Sequence, residues 1–312
     1  MESLSINSNK LILATMFLIV MSTSLLGLKS SNNFRFKPRS IYLANYEQNH
    51  VDKKKQFSAG CCFVSSADKG LKTFNAKKCL NISNTKDNIL LLGDSHAAQY
   101  SLSIKNELKN SNINLMQATA SGCSPVKRLN REIRCSEVMD FVYNTFIQQN
   151  AEHIDGIILA ANWEVYSIDD NKKVLADIKN TLEFFEKLKI PVIVIGQIET
   201  FHISYSSIAA KEYEYHITLS KKYLKMNSYR MNDLLRSNLK DCYVNVIYPK
   251  IPPLNNQNVP YMFDRSHLTE IGAETRVSKF FVDPLTIKFL HSANLKHKNR
   301  IGTHTRLVST MR

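Results

Sequence analysis

A chain of 312 residues can bury a full core, and a composition of 44% hydrophobic and 22% charged residues excludes a wholly disordered polypeptide. The formal charge of +14 is scattered along the chain with no aromatic-interleaved basic motif. It therefore reads as a solvated basic surface, compatible with an anionic membrane, and no nucleic-acid partner is expected.

In chain order, the first feature is an uncharged apolar run at 11–28, which is 18 residues long and just sufficient for a helix to cross the hydrocarbon layer. Residues 1–30 are expected to form a single transmembrane anchor. A cleaved secretory signal is the competing reading, but the run is long for such a core and no clear small-x-small cleavage site precedes Lys29. Lys29, Arg35, Lys37 and Arg39 lie after the run and only Lys10 precedes it, a charge distribution that opposes export of the C-terminal part of the chain. The cysteines argue the other way. Cys61, Cys62, Cys79, Cys123, Cys135 and Cys242 are even in number and contain no C-x-x-C pair, which fits disulfides in an oxidising compartment; buried free thiols are the alternative. Sequence cannot fix the pairing. The expected pairs are Cys123 with Cys135, and Cys79 with either Cys62 or Cys61. The domain is accordingly expected on the outer side of the cytoplasmic membrane, in the periplasm or an extracytoplasmic equivalent.

Residues 31–86 are polar, lysine-rich and weakly periodic, and read as a linker with lead-in loops. Regular alternation begins at 88–92, an apolar run typical of a buried parallel strand, followed by helical spacing at 97–109. It continues with strand 113–118, helix 136–150, strand 154–161, helix 169–188, strand 191–196, a largely helical stretch 211–239, strand-like 243–248 and a closing helix 270–290. This order predicts an α/β domain over 87–290, with a mostly parallel sheet covered on both faces in a three-layer α/β/α sandwich. Right-handed crossovers then place all strand C-termini on one edge, where ligands bind. The basic stretch 291–312 has little apolar periodicity and is expected to be a disordered tail.

Two short motifs lie where chemistry is expected. Gly93-Asp94-Ser95-His96 follows the first core strand, so the serine hydroxyl would stand at a sharp turn on the ligand-binding edge. Asp264-Arg265-Ser266-His267, followed by Leu268-Thr269 and Gly272, stands at the entrance to the closing helix. A base three residues from its orienting carboxylate can face a distant serine with one ring nitrogen and the carboxylate with the other. Either motif alone is weak, since strand-ending turns are often rich in Gly, Asp and Ser and a histidine at such a place is often a cap.

Together, G-D-S-H and D-x-x-H-L-T-x-x-G resemble the first and last sequence blocks of the SGNH hydrolase superfamily. The C-x-P motif at Cys123 to Pro125, the stretch Ala160-Ala161-Asn162-Trp163 and the lead-in cysteines resemble, more narrowly, the extracytoplasmic SGNH domain fused to family 3 membrane acyltransferases, O-acetylases of lipopolysaccharide and other surface glycans. That resemblance implies a Ser95, His267 and Asp264 triad, and an oxyanion hole made by the backbone N–H groups of Ser95 and Gly122 with the side chain of Asn162. Here the third block departs from the usual G-x-N-D, having Ala160 and Trp163 at its ends. His96 is read as a substrate contact or as packing behind the site. Trp163, the only tryptophan, is a candidate for stacking on a sugar ring or for a place in the core.

The implied activity is serine-dependent acyl transfer or ester hydrolysis on acyl groups, acetyl above all, of surface glycans such as lipopolysaccharide O-antigen, with no metal and no organic cofactor. A carbohydrate acetylesterase and a non-catalytic glycan-binding domain are the alternatives. The expected partners are the glycan and a separate multi-span membrane acyltransferase that supplies the acyl group.

Overall fold

The computed structural model describes residues 35–127, 133–167, 171–248 and 259–310. The apolar run at 11–28, expected to be the anchor, lies outside them. Among the described residues no helix is long and apolar enough to cross a membrane.

Among the described residues six strands form one wholly parallel sheet: β1 (Phe63–Val64), β2 (Asp87–Gly93), β3 (Ile113–Ala120), β4 (Gly156–Ala160), β5 (Val192–Ile195) and β6 (Tyr243–Val244), in the spatial order β1-β3-β2-β4-β5-β6. Strand β2 is buried along its whole length. Because successive side chains on a strand point to opposite faces, Leu90 and Leu92 enter one apolar cluster while Ile89 and Leu91 enter the other. Each such side chain stabilises the fold by roughly 1.5–3 kcal/mol through burial. Helices Ile133–Asp140, Asn171–Lys187 and Met226–Asn238 cover the first face; Ser101–Glu107, Tyr205–Tyr215, Glu270–Phe281 and Pro284–Thr310 cover the second. The three-layer architecture is the one the alternating pattern predicts.

The differences lie at the periphery. The lead-in holds short helices Pro38–Ala44, Tyr46–His50 and Lys53–Phe57 and the edge strand β1, none of which its polar composition signalled. The helical stretch 211–239 is three helices, broken where His216 takes a left-handed conformation (φ 54°) and where Leu224 is extended. The closing helix is likewise divided: Glu270–Phe281 stops before Pro284, and the Asp283 carboxylate accepts the Leu285 N–H (2.9 Å) to start the next helix.

Residues 291–310, expected to be disordered, continue that last helix. Phe289, Ala293 and His297 on it are buried. Arg300 donates to Asp155 (2.9 Å), Asn294 to Asp87 (3.0 Å), and the Lys296 ammonium to the carbonyls of Ala151 and Ile154 (3.0 and 2.7 Å). Lys296 and Arg300, two of the basic residues that suggested a solvated tail, thus hold polar groups at the N-terminal edge of the sheet.

Two disulfides are formed, Cys62–Cys79 and Cys123–Cys135, leaving Cys61 and Cys242 as thiols. The choice between Cys61 and Cys62 is resolved by the chain, although the Cys61 sulfur still lies only 3.6 Å from that of Cys79.

Candidate active site

Strand β2 ends at Gly93, where only a residue without a side chain fits. A Cβ built on Gly93 would lie 2.0 Å from the Ala160 carbonyl oxygen and 2.3 Å from the Ala97 Cβ, so backbone and side chain close over this position with no room to spare. Asp94 then caps the short helix Ser95–Ala98, its carboxylate accepting the His96 N–H at 2.7 Å. The other carboxylate oxygen accepts the Asn162 N–H (3.0 Å) and the Tyr166 hydroxyl (2.7 Å), which ties the end of β2 to the end of β4. Burial pushes the Asp94 carboxyl above its ordinary pKa, and these three donors work against that rise. Ser95 is the first residue of its helix, where an N–H has no acceptor within the helix.

The second motif folds back onto the first. His267 Nε2 lies 2.8 Å from Ser95 Oγ, and His267 Nδ1 lies 2.7 Å from Asp264 Oδ2. The other Asp264 oxygen accepts the backbone N–H groups of Ser266 (2.8 Å) and His267 (2.7 Å), so one carboxylate fixes both the turn and the ring. Burial alone would raise the Asp264 pKa; the hydrogen bond and charge interaction with His267 and the two N–H groups prevail and bring it to about 2. The imidazole is stacked on Phe263 with ring centroids 5.7 Å apart and lies 6.0 Å from Phe57. A hydroxyl, an imidazole and an ionised carboxylate in series can move a proton off the hydroxyl and balance the charge left on the ring.

Two glutamines that no motif points to bind this loop to the helix of Ser95. Gln99 Oε1 accepts the Leu268 N–H (2.8 Å), and Gln56 Nε2 donates both to the Gln99 carbonyl (3.2 Å) and to the Leu268 carbonyl (3.0 Å). Both glutamines are buried. Their only sequence signal is polar residues placed among apolar ones.

Gly122, Ser95 and Asn162 each stand two residues past the end of a strand, β3, β2 and β4 respectively, and Gly93 pairs in register with Thr119 on one side and Ala160 on the other. The three expected oxyanion residues therefore leave neighbouring strands at one edge of the sheet. Gly122 has φ 66°, a left-handed conformation that suits glycine, and the next residue is cross-linked through Cys123–Cys135. Asn162 is buried, with Oδ1 accepting from Gln197 Nε2 at 3.0 Å.

Two expectations for substrate contact are corrected. Trp163 is fully buried and its indole N–H donates to the Ile195 carbonyl (3.1 Å), so it presents no face on which a sugar could stack. His96 is also buried, with its ring 4.9 Å from that of His267. Burial, and then the nearby His267, push its pKa well below the usual histidine range, so it sits beside the His267 imidazole as a neutral ring. Among the described residues the three close sulfurs of Cys61, Cys62 and Cys79 form the one cluster with metal-ligand spacing, and two of them are spent in a disulfide.

A parallel three-layer sandwich with G-D-S at a central strand end and D-x-x-H before the closing helix defines an SGNH/GDSL hydrolase-like domain. The chain belongs to the family described as "SGNH domain (fused to AT3 domains)", whose model matches residues 61–280. Among solved structures it is similar to the periplasmic domain of a lipopolysaccharide acetyltransferase from Salmonella ser. Paratyphi A, at TM-score 0.60 and 17% identity over 76% of this chain and 95% of that one. It also matches a candidate acylhydrolase from Bacteroides fragilis (TM-score 0.44, 11% identity, 69% of this chain and 95% of that one). A GDSL-like lipase from Bacteroides thetaiotaomicron matches at TM-score 0.40 and 12% identity, over 65% of this chain and 91% of that one. No curated protein matches the chain.

Proposed function

We propose that this domain is a serine-dependent O-acyltransferase or esterase acting on acyl groups, acetyl foremost, of cell-surface glycans such as lipopolysaccharide O-antigen. The observation that carries the reading is the continuous Ser95–His267–Asp264 relay, with contacts of 2.8 and 2.7 Å. In the proposed reaction His267 Nε2 takes the Ser95 proton as Oγ bonds to the acyl carbonyl carbon. The N–H groups of Ser95 and Gly122 and the Asn162 amide receive the tetrahedral oxyanion, each such donor lowering the barrier by about 2.7–4 kcal/mol. The intermediate collapses with the donor oxygen leaving and accepting the proton from His267; a sugar hydroxyl, or water, then repeats the sequence on the acyl-enzyme.

The disulfides Cys62–Cys79 and Cys123–Cys135 support an extracytoplasmic position, since such bonds persist in oxidising compartments. Residues 11–28 are the proposed anchor, and the fusion of related domains to AT3 domains supports a membrane acyltransferase as acyl donor. Incubating the purified chain with an aryl acetate, with and without a glycan acceptor, tests the reading. Ser95→Ala should abolish acetate release; acetylated acceptor marks a transferase, and release of acetate alone marks an esterase. Unchanged turnover in Ser95→Ala would leave only a glycan-binding role.

A further inference from the structure

Gln197 repeats a pattern set by its neighbours: it stands two residues past the end of β5, as Asn162 does on β4, and Ile195 pairs in register with Ala160. It is fully buried, and every polar group of its side chain is engaged. Oε1 accepts the Glu164 backbone N–H at 3.0 Å. Nε2 donates to the Ile198 carbonyl at 2.9 Å and to Asn162 Oδ1 at 3.0 Å. Its own N–H donates to the Tyr243 hydroxyl (3.0 Å), which in turn donates to Asn232 Oδ1 (2.9 Å).

These partners remove the usual ambiguity of an amide. A backbone N–H can only donate and a backbone carbonyl can only accept, so Glu164 and Ile198 together dictate which end of the Gln197 amide is oxygen and which is nitrogen. The Asn162 atom facing Gln197 Nε2 must then be its oxygen. Its NH₂ is turned away, and the Asn162 backbone is held independently by Asp94 at 3.0 Å.

We infer that Gln197 is a positioning residue: it locks the Asn162 amide so that the NH₂, and never the carbonyl oxygen, is presented to the oxyanion. This deepens the proposed reaction and rests on Asn162 acting there. A misoriented amide would turn a donor into a lone pair facing a developing negative charge, which reverses the sign of its contribution.

A double-mutant cycle on the full chain, with p-nitrophenyl acetate as probe, tests the inference. Asn162→Ala alone should lower kcat roughly 10²-fold, the scale of losing one oxyanion donor. Gln197→Met, similar in volume and without a donor, should lower kcat at least about tenfold with KM within about twofold; on the Asn162→Ala background the same change should alter kcat by less than about twofold. Equal losses on both backgrounds, or none on the native one, would overturn the assignment, because a purely structural glutamine acts regardless of residue 162. If Gln197→Met does not fold, Gln197→Glu serves in the same cycle: it keeps the acceptor for Glu164 and places an acceptor against Asn162. Failure of the underlying reaction is read separately: Ser95→Ala and Asn162→Ala would then both leave kcat unchanged.

Discussion

Asp264 accepts three hydrogen bonds at once, from the His267 ring and from two N–H groups of its own turn. Asp264→Asn offers an amide where the ring requires an acceptor and stabilises no imidazolium, so kcat should fall by about 10⁴, with the loss read as initial rates on an aryl acetate. The same substitution tests linkage. The folded pKa of about 2 lies below the ordinary carboxylate value, so the contribution of the ionised group is complete above that value and is lost as pH falls through about 2. Denaturant titrations of the native chain and of Asp264→Asn should therefore differ most near neutrality and converge toward pH 2. Gly93→Ala puts a methyl against a carbonyl that belongs to β4 and cannot rotate aside, and should destabilise by about 1–3 kcal/mol or more. At this scale the sequence was most legible where short spacing encodes geometry, as in Asp264 and His267. Gln56, Gln99 and Gln197 were invisible because each acts through partners distant in the chain, and a lone glutamine among apolar residues carries no motif.

At the scale of elements, the loop bearing Asp264 and His267 is held between two supports. Phe201 and Tyr205 donate their N–H groups to the carbonyls of Arg265 and Asp264 (2.8 and 2.9 Å), while Gln99 holds Leu268 from the opposite side. Gln99→Leu would strand the buried Leu268 N–H, costing about 1–3 kcal/mol in stability, and would loosen the link between His267 and Ser95. The expected result is a lower kcat with KM little changed, alongside a lowered melting temperature. The core strands were readable as apolar runs, and their helices as periodic ones. The breaks at His216 and before Pro284 were missed because apolar spacing carries on across a turn even where backbone conformation does not. Strand β1 was missed because two residues are too few to show any period.

For the whole molecule, the last helix completes the second face of the sandwich. Phe289 packs against Gly156, where an added Cβ would lie 2.7 Å from its ring, so strand and helix are fitted to each other at that point. Phe289→Ala should cost about 3–5 kcal/mol of unfolding free energy, measured by urea denaturation, a penalty that a disordered tail could not produce. Basic composition misled here because charge says how a segment meets water, whereas the carboxylates of Asp87 and Asp155 that receive Asn294 and Arg300 become neighbours only after the sheet has formed.

The Cys123–Cys135 bond sits immediately after Gly122, whereas the contacts of His267 with Ser95 and Asp264 are assembled from other parts of the chain without any sulfur. Reducing surroundings such as the cytosol would thus unfasten the loop that carries Gly122 and leave the contacts among Ser95, His267 and Asp264 in place.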